Sequence, residues 1–201
     1  MDASNSFNKR EKTVLIGFIG APSCGKTTTA LGLAYRLKQQ EYIAEFVPEA
    51  ARQKIIECRI EGIPGNGGIE GQKKIYAADH YLHTLYRDHA QSIIVSDGST
   101  VNCFFYGLDT LDLVEEANKY DLLFYIPLME THYLDNDANR MQNRAEIVEM
   151  GKRWDAVIRP LQQSCAQIVT LQGYPHVTNE QMVEAAYKEV LERRLPQKIA
   201  A

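Results

Sequence analysis

The stretch GAPSCGKTT, residues 20 to 28, sets Gly20, Gly25, Lys26 and Thr27 in the spacing G-x-x-x-x-G-K-[ST]. It follows the apolar run TVLIGFI and precedes TALGLAYRL, where Ala30, Leu33, Ala34 and Leu37 recur at the helical period. Strand, glycine turn and helix in that order make a cradle for a polyphosphate. Gly20 and Gly25 permit backbone angles that a side chain resists, so the N–H groups of Ser23, Cys24 and Gly25 converge on phosphate oxygens, Pro22 having no donor. The helix N-terminus adds positive potential, Lys26 a point charge, the Thr27 hydroxyl a ligand for Mg²⁺, and Thr28 a contact to the α-phosphate. ATP with Mg²⁺ is the ligand pair this cradle calls for. Cys24 reads as a small filler whose amide matters more than its thiol, although a helix N-terminus lowers a thiol's pKa.

The rest of the chain extends that unit into an α/β pattern with a parallel sheet. Apolar runs at 13–19, 42–47, 92–96, 121–126 and 167–171 read as five strands. A long helix ahead of the third carries Ile75, Ala78, Leu82, Leu85 and Tyr86 on one stripe. A last helix opens on Thr178 with Gln181 three residues on, the capping-box spacing, and shows Met182, Val183, Ala186, Tyr187, Val190 and Leu191 as its stripe. The segment EGIPGNGGIEG at 61–71 reads as an exposed loop.

With 201 residues, 45% of them apolar, the chain has material for one domain, expected over 13–195 behind a loose, polar 1–12. A net charge of -4 argues against nucleic-acid binding driven by overall charge. The four cysteines form no C-x-x-C pair, and no apolar run is long enough to span a membrane, so a reducing, cytoplasmic setting is expected. The oligomeric state is left open, a homodimer included.

Further candidate site residues lie at strand ends. Asp97, closing SIIVSDG, stands where a carboxylate would order the metal's water shell, or else is a turn residue before Gly98. Glu49 and Arg52, in VPEAAR, share a helical face at the carboxyl end of the second strand, where open α/β sheets bind ligands. There Glu49 would accept a hydroxyl proton or bind a ribose and Arg52 hold a phosphate or sugar oxygen, or the two form a surface ion pair. Arg140 and Arg144, with Asp137, fall in a polar stretch around 130–144 that suits a lid closing over the triphosphate, or an exposed mixed-charge helix. Asn102 and Tyr106, in NCFFYG, either wall an acceptor pocket or belong to the core. His80 and His83 have ligand-like spacing but no partners elsewhere.

Taken in order, GAPSCGKTT, VPEAAR, VSDGSTVNCFFYG, YDLLFYIP and DNDANR resemble the P-loop kinase group that contains the nicotinamide riboside kinase domain of NadR-type proteins. Thymidylate and deoxynucleoside kinases are more distant relatives, and many AAA ATPases share the pattern. The resemblance spans about 13–190. It implies a three-layer P-loop NTPase sandwich with strand order 2-3-1-4-5, Glu49 and Arg52 facing the acceptor, Arg140 in the lid, and QGYPH at 172–176 near the adenine. It also implies ATP-dependent phosphoryl transfer to a nucleoside, a nucleoside monophosphate or nicotinamide riboside. Two positions depart from the pattern: Gly98 stands where many relatives have arginine, and Asp137-Ala138-Asn139-Arg140 replaces Asp-Gly-x-Arg. Both bear on the acceptor. A nucleotide-dependent switch or accessory ATPase acting on a protein partner is the competing expectation; it has no need of Glu49 and Arg52 converging on a concave site.

Overall fold

Residues VLIGFI form β1 (Val14–Ile19), a strand buried at all six positions, and burial on both faces is what a central parallel strand requires. The computed structural model describes residues 13–60, 68–89, 93–128, 144–173 and 176–193. β1 pairs in parallel with β3 (Ile93–Ser96) on one side and β4 (Leu122–Tyr125) on the other. β2 (Ala44–Val47) flanks β3, and β5 (Ile168–Thr170) flanks β4. The strand order is therefore 2-3-1-4-5 in an all-parallel sheet, as expected. Gly17 sits where β1 passes Tyr120: a Cβ there would lie 2.8 Å from the tyrosine ring.

Alternate side chains of the sheet feed two cores. Ile16, Phe18, Val95 and Phe124 pack with Ala30, Leu33, Ala34 and Leu37 of α1 (Lys26–Gln39) and with Met182, Ala186, Tyr187 and Val190 of α6 (Asn179–Glu192). Leu15, Ile19, Ile94, Leu123 and Tyr125 face the other way, against Met150, Trp154, Ile158 and Leu161 of α5 (Arg144–Ser164) and Phe105 of a 3₁₀ helix over Thr100–Tyr106. Three layers result, with apolar burial on both faces holding the sheet. α2 (Ala50–Ile60), α3 (Gly68–His89) and α4 (Leu113–Ala117) complete the described elements. Thr178 and Gln181 form the expected capping box on α6. Among the described residues no helix is long and apolar enough to cross a membrane.

Several expectations shift. The second strand starts at Ala44 rather than residue 42, because Glu41 turns through a positive φ of 65° and the Tyr42 N–H closes back on the Leu37 carbonyl. Gly68 to Gly71, read as loop, open α3 with Gly68 at φ 60°, while 61–67 lie outside the described residues. Leu85 is exposed, and the inward stripe of α3 is largely polar, with Gln72, Asp79 and His83 buried beside Ile75. α5 was not anticipated from the sequence. The aromatic run packs as core: Phe105 stacks on Trp154 with ring centroids 4.0 Å apart. Residues 1–12 and 129–143, hence the expected loose terminus and nearly all of the expected lid, lie outside the described residues.

Candidate active site

The loop between β1 and α1 is shaped by three left-handed residues, Gly20 at φ 138°, Ser23 at φ 69° and Gly25 at φ 102°. At Gly20 a Cβ would fall 2.5 Å from the Ile126 carbonyl oxygen, so glycine is dictated by close approach as well as by the angle. Such alternation turns successive N–H groups toward one side and makes an anion nest ahead of a helix start. Lys26 arches over the loop, its Nζ donating to the carbonyls of Gly20 at 2.9 Å and Ala21 at 2.8 Å. The Ser23 hydroxyl is buried without a hydrogen-bond partner among the described residues. Thr28 is exposed on the first turn of α1. Burial pushes the Cys24 thiol up, outweighing the Lys26 charge and nearby N–H groups that pull it down. The expected lowering by the helix terminus therefore does not prevail, because the side chain faces the core.

Asn102, expected to touch an acceptor, has a different place. Its Nδ2 donates to the Phe18 carbonyl at 3.2 Å and its Oδ1 accepts from the Gly20 N–H at 3.4 Å, so both ends of the amide brace the loop's root. Tyr106 is half-buried and packs on the core.

Asp97 leaves β3 beside that loop, its N–H bonded to the Val47 carbonyl at 2.9 Å. The residue is 6% exposed, and its Oδ1 is buried with no hydrogen-bond partner among the described residues. Burial raises its pKa, opposed by the Thr27 hydroxyl, which donates to it, and by the charges of Lys26 and Arg52. An orphan carboxylate oxygen next to a threonine hydroxyl is a pair of hard oxygen donors, which fits Mg²⁺ with the rest of its shell filled by water and phosphate. The turn-residue reading of Asp97 does not account for the orphan oxygen.

Glu49 lies at the end of β2, immediately ahead of α2, and its side chain crosses Gly98: a Cβ at position 98 would sit 3.1 Å from Glu49 Cγ and 3.4 Å from its Oε1. Its carboxyl is pushed up first by burial, with Lys26 and Arg52 pulling down and Asp97 pushing up. Glu49, Asp97, Lys26 and Arg52 thus feel one another's charge, and Arg52 itself is exposed on the first turn of α2. The structure adds a residue that sequence reasoning missed. Asp79 of α3 is 4% exposed and accepts the Ala50 N–H at 3.0 Å, capping α2 from another helix. Burial, with Glu49 and Asp97 adding, pushes its carboxyl up to about 7.

Behind Asp79 runs a buried polar chain. His83 Nε2 is 2.8 Å from Ser96 Oγ and its Nδ1 is 3.2 Å from Tyr120 OH, and Tyr120 OH accepts from the Thr100 N–H at 2.9 Å. The Thr100 hydroxyl donates to Glu116, which also takes Tyr76 OH and Lys119. Burial lowers the His83 pKa to about 4, so the ring is neutral and structural. His80 is exposed, and no cluster of three metal-ligating side chains occurs among the described residues. Arg144 opens α5 and is exposed, whereas Asp137 and Arg140 lie outside the described residues. Of QGYPH, Gln172, Gly173 and His176 are described.

Comparison with known proteins agrees with this fold. The family described as the AAA domain matches residues 15–172. No curated protein is significantly similar in sequence. Among solved structures, shikimate kinase from Acinetobacter baumannii in complex with shikimate is similar over 92% of this chain and 97% of its own, with TM-score 0.56 and 16% identity. At that identity the likeness carries the fold.

Proposed function

The chain belongs to the AAA-domain family, and from that premise we propose that it transfers the terminal phosphoryl group of ATP, with Mg²⁺, to a hydroxyl of a small nucleoside-like acceptor. The observation that carries this reading is Glu49 lying across Gly98, next to Asp97 and within the field of Lys26. A carboxylate so placed has a task in a phosphotransferase, where a hydroxyl must be oriented and lose a proton. A hydrolytic switch has no such need.

In this reading the N–H groups of Ser23 to Thr28 hold the phosphates, and Lys26 leaves its loop carbonyls for the β- and γ-oxygens. Thr27 and Asp97 would hold Mg²⁺, which would supply charge neutralisation for the phosphates. The acceptor oxygen forms a bond to the γ-phosphorus in line with the breaking bond to the β,γ-bridging oxygen, ADP leaves, and the hydroxyl proton passes to Glu49. Burial makes Glu49 a stronger base than an exposed carboxylate. Arg52 orients the acceptor, and Arg144, with Arg140, serves a lid over the triphosphate. Catalysis is then positioning and charge stabilisation, with no covalent enzyme intermediate.

The acceptor candidates are a nucleoside, a nucleoside monophosphate and nicotinamide riboside, and the chain is proposed to work in the cytoplasm. Lys26→Ala is expected to lower turnover by about 10²-fold or more, a typical effect of removing one charge-stabilising group. Phosphorylated product measured by mass spectrometry checks it, and near-normal turnover in the variant contradicts the reading.

A further inference from the structure

Asp79 is an expensive residue to keep where it stands. A carboxylate 4% exposed, close enough to Glu49 and Asp97 to feel both charges, opposes folding whenever it is ionised. One oxygen accepts the Ala50 N–H at 3.0 Å, and no further hydrogen bond of this side chain occurs among the described residues. An asparagine or serine would cap α2 equally well without the charge. Groups whose charge is maintained against stability concentrate where ligands are handled.

The surroundings say which ligand. Glu49 and Asp97 lie in the field of two cations, Lys26 and Arg52, while Asp79 feels the two carboxylates. In the proposed complex Lys26 and Asp97 are taken by the nucleotide and its metal, which leaves Glu49, Asp79 and Arg52 for the acceptor. Gly98 contributes no cation and leaves room for Glu49. One turn back on α3, Ile75 is buried with Cys103 and Leu108 in a small apolar cluster that adds no charge. Two carboxylates with free acceptor capacity suit a molecule that donates from two hydroxyls.

We propose that Asp79 is an acceptor-recognising residue: it anchors the start of α2, and so Glu49, with one oxygen, and accepts a second hydroxyl of a polyol acceptor with the other. This rests on the phosphotransferase reading. The hydroxyl that reacts lies toward Glu49, and the one that Asp79 binds sets which acceptors fit.

The test uses the full chain with Mg²⁺ and ATP against uridine, thymidine, nicotinamide riboside and shikimate, comparing wild type with Asp79→Asn. Asparagine keeps an oxygen for the Ala50 N–H, so the α2 cap survives, and titration with a fluorescent ATP analogue checks that the nucleotide site is intact. The expected result is a KM for the phosphorylated acceptor raised about tenfold or more, the usual consequence of losing a hydrogen bond to a charged group, with kcat changed less and nucleotide affinity unchanged. For a deoxy analogue of that acceptor lacking the second hydroxyl, wild type and variant should have equal KM. An unchanged KM in the variant overturns the inference alone. So does a raised KM that persists with the deoxy analogue, which would make Asp79 purely structural. Wild type that phosphorylates none of the four, nor uridine or thymidine monophosphate, overturns the phosphotransferase reading and this inference with it.

Discussion

Gly98 lies between Asp97 and the Glu49 side chain, the two carboxylates proposed to act in phosphoryl transfer, without adding a side chain of its own. Gly98→Ala puts a methyl 3.1 Å from Glu49 Cγ, a contact that a flexible glutamate relieves by swinging away. Turnover should then fall several-fold while the melting temperature hardly moves, as steady-state kinetics and thermal unfolding together would reveal; equal losses in both would mean that Glu49 has no catalytic place. For Asp79 the prediction concerns pH. Its carboxyl, raised from 3.8 to about 7, keeps its proton in the fold where the unfolded chain has released it, so stability falls as pH climbs from about 4 to 7 and then levels off. Asp79→Asn should accordingly raise the melting temperature more at pH 8 than at pH 5. Gly20, Lys26, Thr27 and Asp97 were legible because their spacing and strand context are local. Asp79 was not, since an acid in the middle of a helix reads as a solvated residue until α2 is laid against it. Asn102 was misread for the converse reason: its two partners, Phe18 and Gly20, are more than 80 positions away, as the separations of 84 and 82 show.

Among the elements, α1 and α6 form the closest helix pair on their side of the sheet. A Cβ on Gly32 would come within 2.4 Å of Val183 Cγ2, so Gly32→Ala must push α6 outward. A loss of about 1–3 kcal/mol on chemical denaturation is expected, the usual consequence of overpacking, and an unchanged midpoint would contradict the packing described. On the opposite face Trp154 is almost fully buried between Phe105 and Tyr125, and Trp154→Ala should lose about 3–5 kcal/mol in the same experiment. The five strands were legible because buried parallel strands are short apolar runs bounded by turns. α5 escaped because Gly151 leaves a gap in its apolar stripe and Pro160 reads as a helix breaker. Gly151 packs against Leu128, where a Cβ would lie 3.1 Å from a Leu128 methyl, and Pro160 is tolerated on an exposed position of the helix.

For the molecule as a whole, the order 2-3-1-4-5 is what brings the site together. β2, β3 and β1 are neighbours, so their carboxyl ends deliver Glu49, Asp97 and the Gly20 loop side by side, and α3 brings Asp79 in across α2. That convergence was legible only in outline, because it depends on which strands pair, and no short motif encodes pairing. The central claim is that the site joins a nucleotide cradle to an acceptor site. Mass spectrometry of the products formed from ATP, Mg²⁺ and a panel of nucleosides, nucleoside monophosphates and nicotinamide riboside tests it most directly. The account predicts one newly phosphorylated acceptor, absent with Lys26→Ala; ADP and free phosphate alone, formed at the same rate with and without the panel, would contradict it.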